Sequence, residues 1–224
     1  MIAVLTADLI DSSQYDEGVL KKVLDTLSSE FELISNEYKK KEVRFDIYRG
    51  DSFQGIIKDP AQALIISLQI KAAINKIHLK KTRKSRTYSK IADFKIAIGI
   101  GAIDLERKAI AESNGQAFQF SGRSLDEMKN ENRKTRLKTP EQEVDEEFNT
   151  GFYLMDTITD KWSTASAEVV YYLLKGLKER EIAKELNITQ SAVNQRKKAS
   201  GWEAINTLLT RYHNVITKNF SNGN

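Results

Sequence analysis

The first part of the chain alternates short apolar runs with longer segments of helical periodicity. Residues 2–7 (IAVLTA) form an apolar run that predicts a buried strand. From residue 19 to residue 34, apolar side chains recur every three or four positions, which predicts an amphipathic helix. Residues 43–57 then change to a period of two around an Arg49-Gly50 turn, and this pattern predicts a β-hairpin.

The alternation of elements continues to about residue 158. Pro60 opens a second predicted helix, because proline is well tolerated in a first helical turn. Residues 93–103 (DFKIAIGIGAI) predict another strand. A third helix, a short apolar break at RLKTP and a partly acidic helical segment follow it in that order. The third helix has a predicted inner face of Phe118, Ser121, Gly122, Leu125 and Met128. The order β-α-β-β-α-β-α predicts an α/β fold with a ferredoxin-like βαββαβ core.

Near Lys161 the pattern changes and becomes helical. We place a boundary between residues 157 and 165, which gives an α/β domain of residues 1–158 and an all-α domain of residues 159–224. No Pro- or Gly-rich linker separates the two, so we expect them to pack against each other. A basic segment at residues 79–90 (LKKTRKSRTYSK) interrupts the first domain. We interpret it as an exposed loop, with contact to nucleic acid as the lesser alternative.

The stretch EIAKELNITQSAVNQRKK, residues 181–198, has the pattern of two short helices packed across a tight turn. Asn187 tolerates the left-handed conformation that such a turn uses. Thr189 can cap the second helix through its hydroxyl. The second helix then exposes a set of polar and basic side chains: Gln190, Ser191, Asn194, Gln195, Lys197 and Lys198.

This stretch resembles the sigma-factor-type helix-turn-helix over roughly 40 residues. The resemblance implies binding to double-stranded DNA by the polar and basic side chains of the second helix. In such proteins Gln and Asn pair with adenine in the major groove, while Lys and Arg hold phosphate or guanine. The alternative is a structural helical hairpin with a solvated basic face.

Composition narrows the chemistry that the chain can carry. The 224 residues include no cysteine, which excludes thiol catalysis, and two histidines, which disfavours histidine-centred metal sites. No apolar run is long enough for a transmembrane helix, and the N-terminus lacks the features of a secretory signal. We therefore expect a soluble, cytoplasmic protein without a membrane partner. The formal net charge of +4 permits nucleic acid as a partner without requiring it.

Two carboxylates stand at predicted strand ends where folding does not require an acid. Asp8 ends the first strand, and Asp51 follows the hairpin turn in IYRGDSFQGII. Because the first strand lies beside the hairpin in a βαββ unit, the two side chains can converge at one edge of the sheet. Two convergent carboxylates suit Mg²⁺ and, through it, the phosphates of a nucleotide. The alternative is structural, with Asp8 as a helix-leading cap and Asp51 as a turn residue.

From residue 2 to about residue 130, the chain resembles the catalytic domain of class III nucleotidyl cyclases. TADLIDSS is similar to their metal-binding strand, YRGDSFQG to the hairpin with the second metal aspartate, and FKIAIGIGAI to the next core strand. NGQAFQFSGR resembles the helix that supplies transition-state residues. The resemblance implies that Asp8 and Asp51 bind metal, and that Gln119 and Arg123 contact the ribose and phosphates of a purine nucleotide. In cyclases these two sets come from opposite protomers, so a homodimer is also implied.

The resemblance has departures that concern the ligand and its turnover. Ile47 stands where cyclases that select their purine carry a lysine, Glu112 lies near their second base-reading position, and Gln119 replaces an asparagine. Asp11 and Ser12 either cap the first helix or offer main-chain amides to phosphate. These departures favour nucleotide binding over turnover. Gln119 and Arg123 are therefore only candidates for catalysis, and no residue is assigned as catalytic.

A cyclase-like layout joined to a helix-turn-helix also resembles the SatD family of bacterial proteins over nearly the whole chain. The leading hypothesis is a DNA-binding transcription regulator whose first domain binds a nucleotide, with Mg²⁺, at a dimer interface. A second is an active nucleotidyl cyclase or related phosphoryl-transfer enzyme fused to a DNA-binding module. A third is a catalytically inert dimerisation platform in which only DNA binding matters.

Overall fold

The computed structural model describes residues 1–48, 50–78 and 90–221, and within them the fold is mixed α/β with five strands and eight α-helices. The strands are β1 (Ile2–Leu9), β2 (Val43–Tyr48), β3 (Ser52–Ile57), β4 (Phe94–Gly101) and β5 (Thr135–Lys138). The helices are α1 (Glu17–Glu37), α2 (Ala63–Asn75), α3 (Gln116–Met128), α4 (Gln142–Thr159), α5 (Thr164–Leu174), α6 (Glu179–Glu185), α7 (Gln190–Ala199) and α8 (Trp202–Phe220). The loop interpretation of residues 79–90 lies outside the described residues except at Lys90.

The strands form one sheet in the order β2-β3-β1-β4-β5. All neighbours are antiparallel except β4 and β5, which are parallel. The central strand is β1, and near its end Asp8 lies opposite Ser52 of β3 on one side and opposite Lys95 of β4 on the other. The strand β5, which the sequence pattern indicated as a short apolar break, has four residues of sequence TRLK, too few for a clear period of two.

Helices cover both faces of the sheet, which explains why β1 is an almost continuous apolar run. Alternate residues of β1, such as Leu5, belong to the main core with apolar residues of α1 and α2. The intervening residues, such as Val4, pack with Ala117 and Phe118 of α3 on the opposite face. No helix in the described part of the chain is long and apolar enough to cross a membrane.

Helix α1 begins at Glu17, close to the predicted start, but its cap is not the one that the sequence analysis named. Asp16 is its N-cap, and the Asp16 side chain accepts a hydrogen bond from the main-chain N–H of Val19 at 2.8 Å. The prediction that Asp11 and Ser12 cap this helix is therefore wrong. Asp11 instead adopts a left-handed conformation with φ of 53° and precedes a separate 3-10 helix, Ser12–Gln14.

The main core continues from the α/β part into the C-terminal helices. It includes Trp202 and Tyr212 of α8 together with residues of β1, α1 and α2. A buried polar contact accompanies this packing: Glu30 of α1 accepts hydrogen bonds from Gln69 of α2 and from the Tyr171 hydroxyl of α5, both at 2.8 Å. Burial and the nearby Glu30 raise the pKa of Tyr171, so this hydroxyl stays a donor.

Gly99 on β4 is expected to be intolerant of any side chain. A Cβ atom there would lie 2.2 Å from the Ala117 carbonyl oxygen and 2.5 Å from the Ser121 nitrogen of α3, both main-chain atoms. We predict that Gly99→Ala lowers the free energy of unfolding by about 1–3 kcal/mol, because α3 must move away from the sheet. Chemical denaturation measures this change.

Gly122 provides the matched control, since it lies in the middle of α3 and a Cβ atom there would meet no atom of the described residues within 4 Å. Gly122→Ala is expected to be neutral or to stabilise by up to about 1 kcal/mol, because alanine has the better helix propensity. Equal destabilisation by the two substitutions would contradict the packing argument.

Candidate functional site

Asp8 and Asp51 meet at a single hydroxyl. The Oγ atom of Ser52 lies 2.7 Å from Oδ1 of Asp8 and 3.3 Å from Oδ1 of Asp51. The turn is held against β1 because the N–H of Leu9 donates to the carbonyl oxygen of Asp51 at 2.9 Å. The structure thus brings together the two carboxylates that the sequence predicts to converge, and both side chains remain partly exposed.

The loop between β1 and α1 also reaches this carboxylate pair. The Ser12 hydroxyl donates to Oδ2 of Asp51 at 2.9 Å, so both oxygens of Asp51 have a serine neighbour. The main-chain N–H groups of Ser12 and Ser13 have no acceptor among the described residues. The side chain of Asp11 is exposed and makes no capping hydrogen bond. Ser12 therefore belongs to the site by contact, and Asp11 by its position in the loop.

The donor set of this pair fits a hard cation. Mg²⁺ is commonly bound through one or two carboxylates, with waters and phosphate oxygens completing its octahedron. No cluster of three or more His, Cys, Asp or Glu accompanies the pair in the described part of the chain. Sequence reasoning missed Ser52, although it follows Asp51 directly and the strand alternation places it on the face of Asp8.

Ile47, at the position where the cyclase resemblance expects a base-reading lysine, faces the core. It lies opposite Phe53 in the β2–β3 register, and the Phe53 ring packs 5.1 Å from that of Phe31 on α1. Tyr48, the next residue, lies opposite Ser52 and so shares the face of Asp8. Ile47 is therefore partly buried against the main core.

Gln119 and Arg123 lie on the outer side of α3, away from the sheet that carries Asp8. Both are exposed, while Ser121 on the inner side contacts the Thr6 hydroxyl of β1 at 2.8 Å. The structure therefore does not bring this pair to the carboxylates within one chain. Glu112 is exposed in a 3-10 helix, Ile110–Glu112, that precedes α3.

Arg123 lines a groove of about 660 Å³ between α3 and α4. The three other cations of the groove have acidic partners: Arg133 lies 3.2 Å from Glu131, Arg136 lies 3.0 Å from Glu127, and Lys138 lies 2.7 Å from Asp145. Arg123 makes no hydrogen bond or ion pair with any residue that the structure describes, so its guanidinium is available to an external anion.

In the C-terminal helices, α6 and α7 pack through buried Ile182 and Val193 against Val169 of α5. Between α6 and α7, Asn187 adopts the left-handed conformation with φ of 51°. The Thr189 hydroxyl accepts a hydrogen bond from the N–H of Ala192 at 3.1 Å and so caps α7. Both of these predictions from the sequence are confirmed.

The outer side of α7 carries the predicted polar and basic side chains. Gln190, Ser191, Gln195 and Lys198 are exposed, and Asn194 is half-buried. Lys197 differs, because its Nζ lies 2.9 Å from Glu203 and 3.4 Å from Glu179. Hydrogen bonding to Glu203 raises the pKa of Lys197, and these ion pairs across three helices hold its ammonium beside α7.

None of the curated proteins matches this chain. The model of the SatD family matches residues 1–213 of the 224. This match extends from the strand that carries Asp8 through α7, and it ends within α8. The chain therefore belongs to the SatD family.

Proposed function

We propose that this SatD-family protein is a DNA-binding transcription regulator whose α/β part binds a nucleotide with Mg²⁺. The observation that carries the proposal is the exposed polar and basic side of α7, which no described residue covers. Bidentate amide side chains and a lysine on one helix side are the groups that read and hold a major groove.

We interpret α6, its turn and α7 as a helix-turn-helix of the sigma-factor type, with α7 as the recognition helix. Gln190, Asn194 and Gln195 would contact base edges, and Ser191 and Lys198 the backbone phosphates. Lys197 fits this role less well, because Glu179 and Glu203 already neutralise its charge.

For the α/β part, we propose a ferredoxin-like, nucleotidyl-cyclase-like core formed by β1 to β4 with α1 and α2. Support comes from the antiparallel strand order β2-β3-β1-β4 and from the meeting of Asp8 and Asp51 at Ser52. Mg²⁺ at this pair would neutralise nucleotide phosphates, and Ser12 would lie beside them. The exposed Gln119 and Arg123 would reach the nucleotide only from a second protomer.

The carboxylate pair also favours a second candidate, a nucleotidyl cyclase or related phosphoryl-transfer enzyme fused to the DNA-binding part. Arg123 without an ion-pair partner among the described residues is the type of group that stabilises charge developing on a phosphoryl group. An inert dimerisation platform remains the third candidate, and it requires neither metal nor nucleotide.

The DNA-binding proposal predicts that Asn194→Ala combined with Lys198→Ala weakens duplex binding about 100-fold, because one base contact and one phosphate contact are lost. Fluorescence anisotropy measures the affinity, with a duplex that the wild-type protein has selected from a random pool.

Asn214→Ala with Lys218→Ala is the matched control, because the same two residue types stand four apart on the exposed side of α8. This pair is expected to leave the affinity within about threefold, since loss of one distant charge changes only the long-range attraction. The proposal fails if wild type selects no duplex, or if the α7 variant binds as the control does.

A further inference from the structure

The two outer strands of the sheet differ in whether another element hydrogen-bonds to the main-chain groups of their outer edges. At β5, the side chain of Asn149 on α4 accepts a hydrogen bond from the N–H of Leu137 at 2.8 Å and donates one to its carbonyl oxygen at 2.9 Å. The Asp156 carboxylate likewise accepts from the N–H groups of Lys134 and Thr135. Helix α4 thus closes the β5 edge.

The opposite edge, at β2, has no such cover from the residues that the structure describes. The N–H of Lys58 donates to the carbonyl oxygen of Glu42 at 2.8 Å, which fixes the phase of hydrogen bonding between β2 and β3. Because the ladder alternates, the main-chain groups of Phe45 and Ile47 point away from β3. No described residue hydrogen-bonds to these outward N–H and carbonyl groups. Unpaired edge groups of this kind are a template for another strand.

The sequence of β2 is complementary to itself in an antiparallel arrangement. If a two-fold axis passes through Phe45, then Val43 lies opposite Ile47 of a second copy, and Arg44 lies opposite its Asp46. Phe45 then pairs with itself and Ile47 pairs with Val43 at the hydrogen-bonded positions, where the N–H of Val43 exchanges its 3.3 Å contact with the Lys39 carbonyl oxygen for one to the second copy. The two Arg–Asp pairs occupy the closer, non-hydrogen-bonded positions. Opposite charges at such cross-strand positions favour pairing.

Contacts within the chain hold both charged side chains on one face of this edge. The Arg44 guanidinium lies 2.8 Å from Glu106, and the Asp46 carboxylate accepts a hydrogen bond from the N–H of Ile110 at 2.8 Å. The two side chains are therefore already ordered before a second copy arrives, which lowers the entropy that pairing costs. Because Glu106 already shares the charge of Arg44, the cross-strand pair sets the register more than it adds affinity.

The surroundings of the β2 edge leave room for a second strand. A groove of about 540 Å³ runs along it, between Ser28 and Ser35 of α1 on one side and Lys108 on the other. Phe45 and Ile47 face the same side as α1 and are only partly buried, so apolar side chains are exposed along the edge.

The geometry points to β2 as the contact strand of a two-fold symmetric dimer, in which two five-stranded sheets join into one continuous sheet. The occupant of the edge is a second copy of this chain, because the Arg44–Asp46 pattern complements itself. An isologous contact of this type closes after two copies. The interface uses neither the carboxylate pair at Ser52, nor α3, nor α7, so it is separate from the protomer contact that would bring Gln119 and Arg123 to the nucleotide.

Charge variants test this register directly. Wild type is expected to be dimeric in analytical ultracentrifugation. Arg44→Asp and Asp46→Arg should each weaken self-association by roughly tenfold or more, because each places like charges opposite one another at two positions. An equimolar mixture should recover a dimer, since the two acidic side chains of one variant then face the two arginines of the other. The melting temperature of each variant shows whether it is folded.

Cysteine cross-linking gives a second measurement, since the chain has no cysteine of its own. A mixture of Arg44→Cys with Asp46→Cys should form a mixed disulfide, because opposed Cα atoms at such positions are about 4.5 Å apart. Arg44→Cys alone should not cross-link. A monomeric wild type overturns the proposal, as do charge variants that dimerise as strongly as wild type, or a cysteine mixture that does not cross-link.

Discussion

Replacing Asp93 with alanine is expected to lower the free energy of unfolding by about 3–5 kcal/mol, because the substitution leaves a buried lysine without its counter-ion. Nζ of Lys71 lies 2.6 Å from Oδ1 of Asp93, and only 2% of the Lys71 side chain is exposed. Lys90 and Lys134 each lie 2.9 Å from the other carboxylate oxygen. One acid therefore compensates cations from α2, from the segment before β4 and from the residue before β5.

The same substitution should remove part of the pH dependence of stability. Burial alone would raise the pKa of Asp93, but the charges of Lys71, Lys90 and Lys134 outweigh it and hold the pKa well below its usual range. A carboxyl whose pKa is lower in the folded state stabilises the fold above its unfolded pKa, about 4, and loses this contribution as the pH falls further. The gap between wild type and Asp93→Ala should shrink from pH 7 to pH 3.

Asp160→Ala is the matched control for this prediction. Asp160 also contacts Lys134 and Lys90, but 43% of its side chain is exposed. Water screens such a pair, so the cost should stay below about 1 kcal/mol. Urea denaturation at both pH values measures the two variants. Equal costs for Asp93→Ala and Asp160→Ala would show that burial of Lys71 does not determine the effect.

The sequence pattern predicted the elements with strong periodicity and missed those that depend on distant partners. The runs IAVLTA and DFKIAIGIGAI became β1 and β4, because short apolar runs that are rich in β-branched residues favour a buried strand over a helix. The four residues of β5 carry no such signal, and their outer edge depends on Asn149 of α4. The ion pairs of Asp93 could not be predicted either, since Lys71 and Lys134 are far from Asp93 along the chain.

The candidate site was predictable to a similar extent. The order of strands predicts that Asp8 and Asp51 lie close together. The β1–β3 register, in which Asp8 lies opposite Ser52, then places both carboxylates beside the Ser52 hydroxyl. The ion pairs of Lys197 were not predictable, because they join α7 to side chains of α6 and α8. Side-chain contacts of this kind depend on how helices cross, which residue spacing along one helix does not specify.

Asp51→Asn is expected to abolish the Mg²⁺-dependent part of nucleotide binding, with a loss of affinity of about tenfold or more. The substitution removes one of two anionic ligands while an amide of the same shape stays beside Ser12 and Ser52. Calorimetric titration with ATP and with GTP, each with and without Mg²⁺, measures the loss. Asp25→Asn on the exposed side of α1 is the control and should bind as wild type does.

Product formation in the same samples separates the three functional hypotheses. Binding without a cyclic product supports the nucleotide-responsive regulator, and a cyclic product that Asp51→Asn abolishes supports the enzyme. If wild type binds neither nucleotide, both hypotheses are wrong and the inert platform remains. A comparison with Asp8→Asn sharpens the result, because Asp8 of β1 and Asp51 of the hairpin turn contact the same hydroxyl. If both residues bind one ion, the two substitutions should change the Mg²⁺ dependence of nucleotide binding equally. If both residues are only structural, the substitutions should change the stability of the protein by different amounts and leave the Mg²⁺ dependence unchanged.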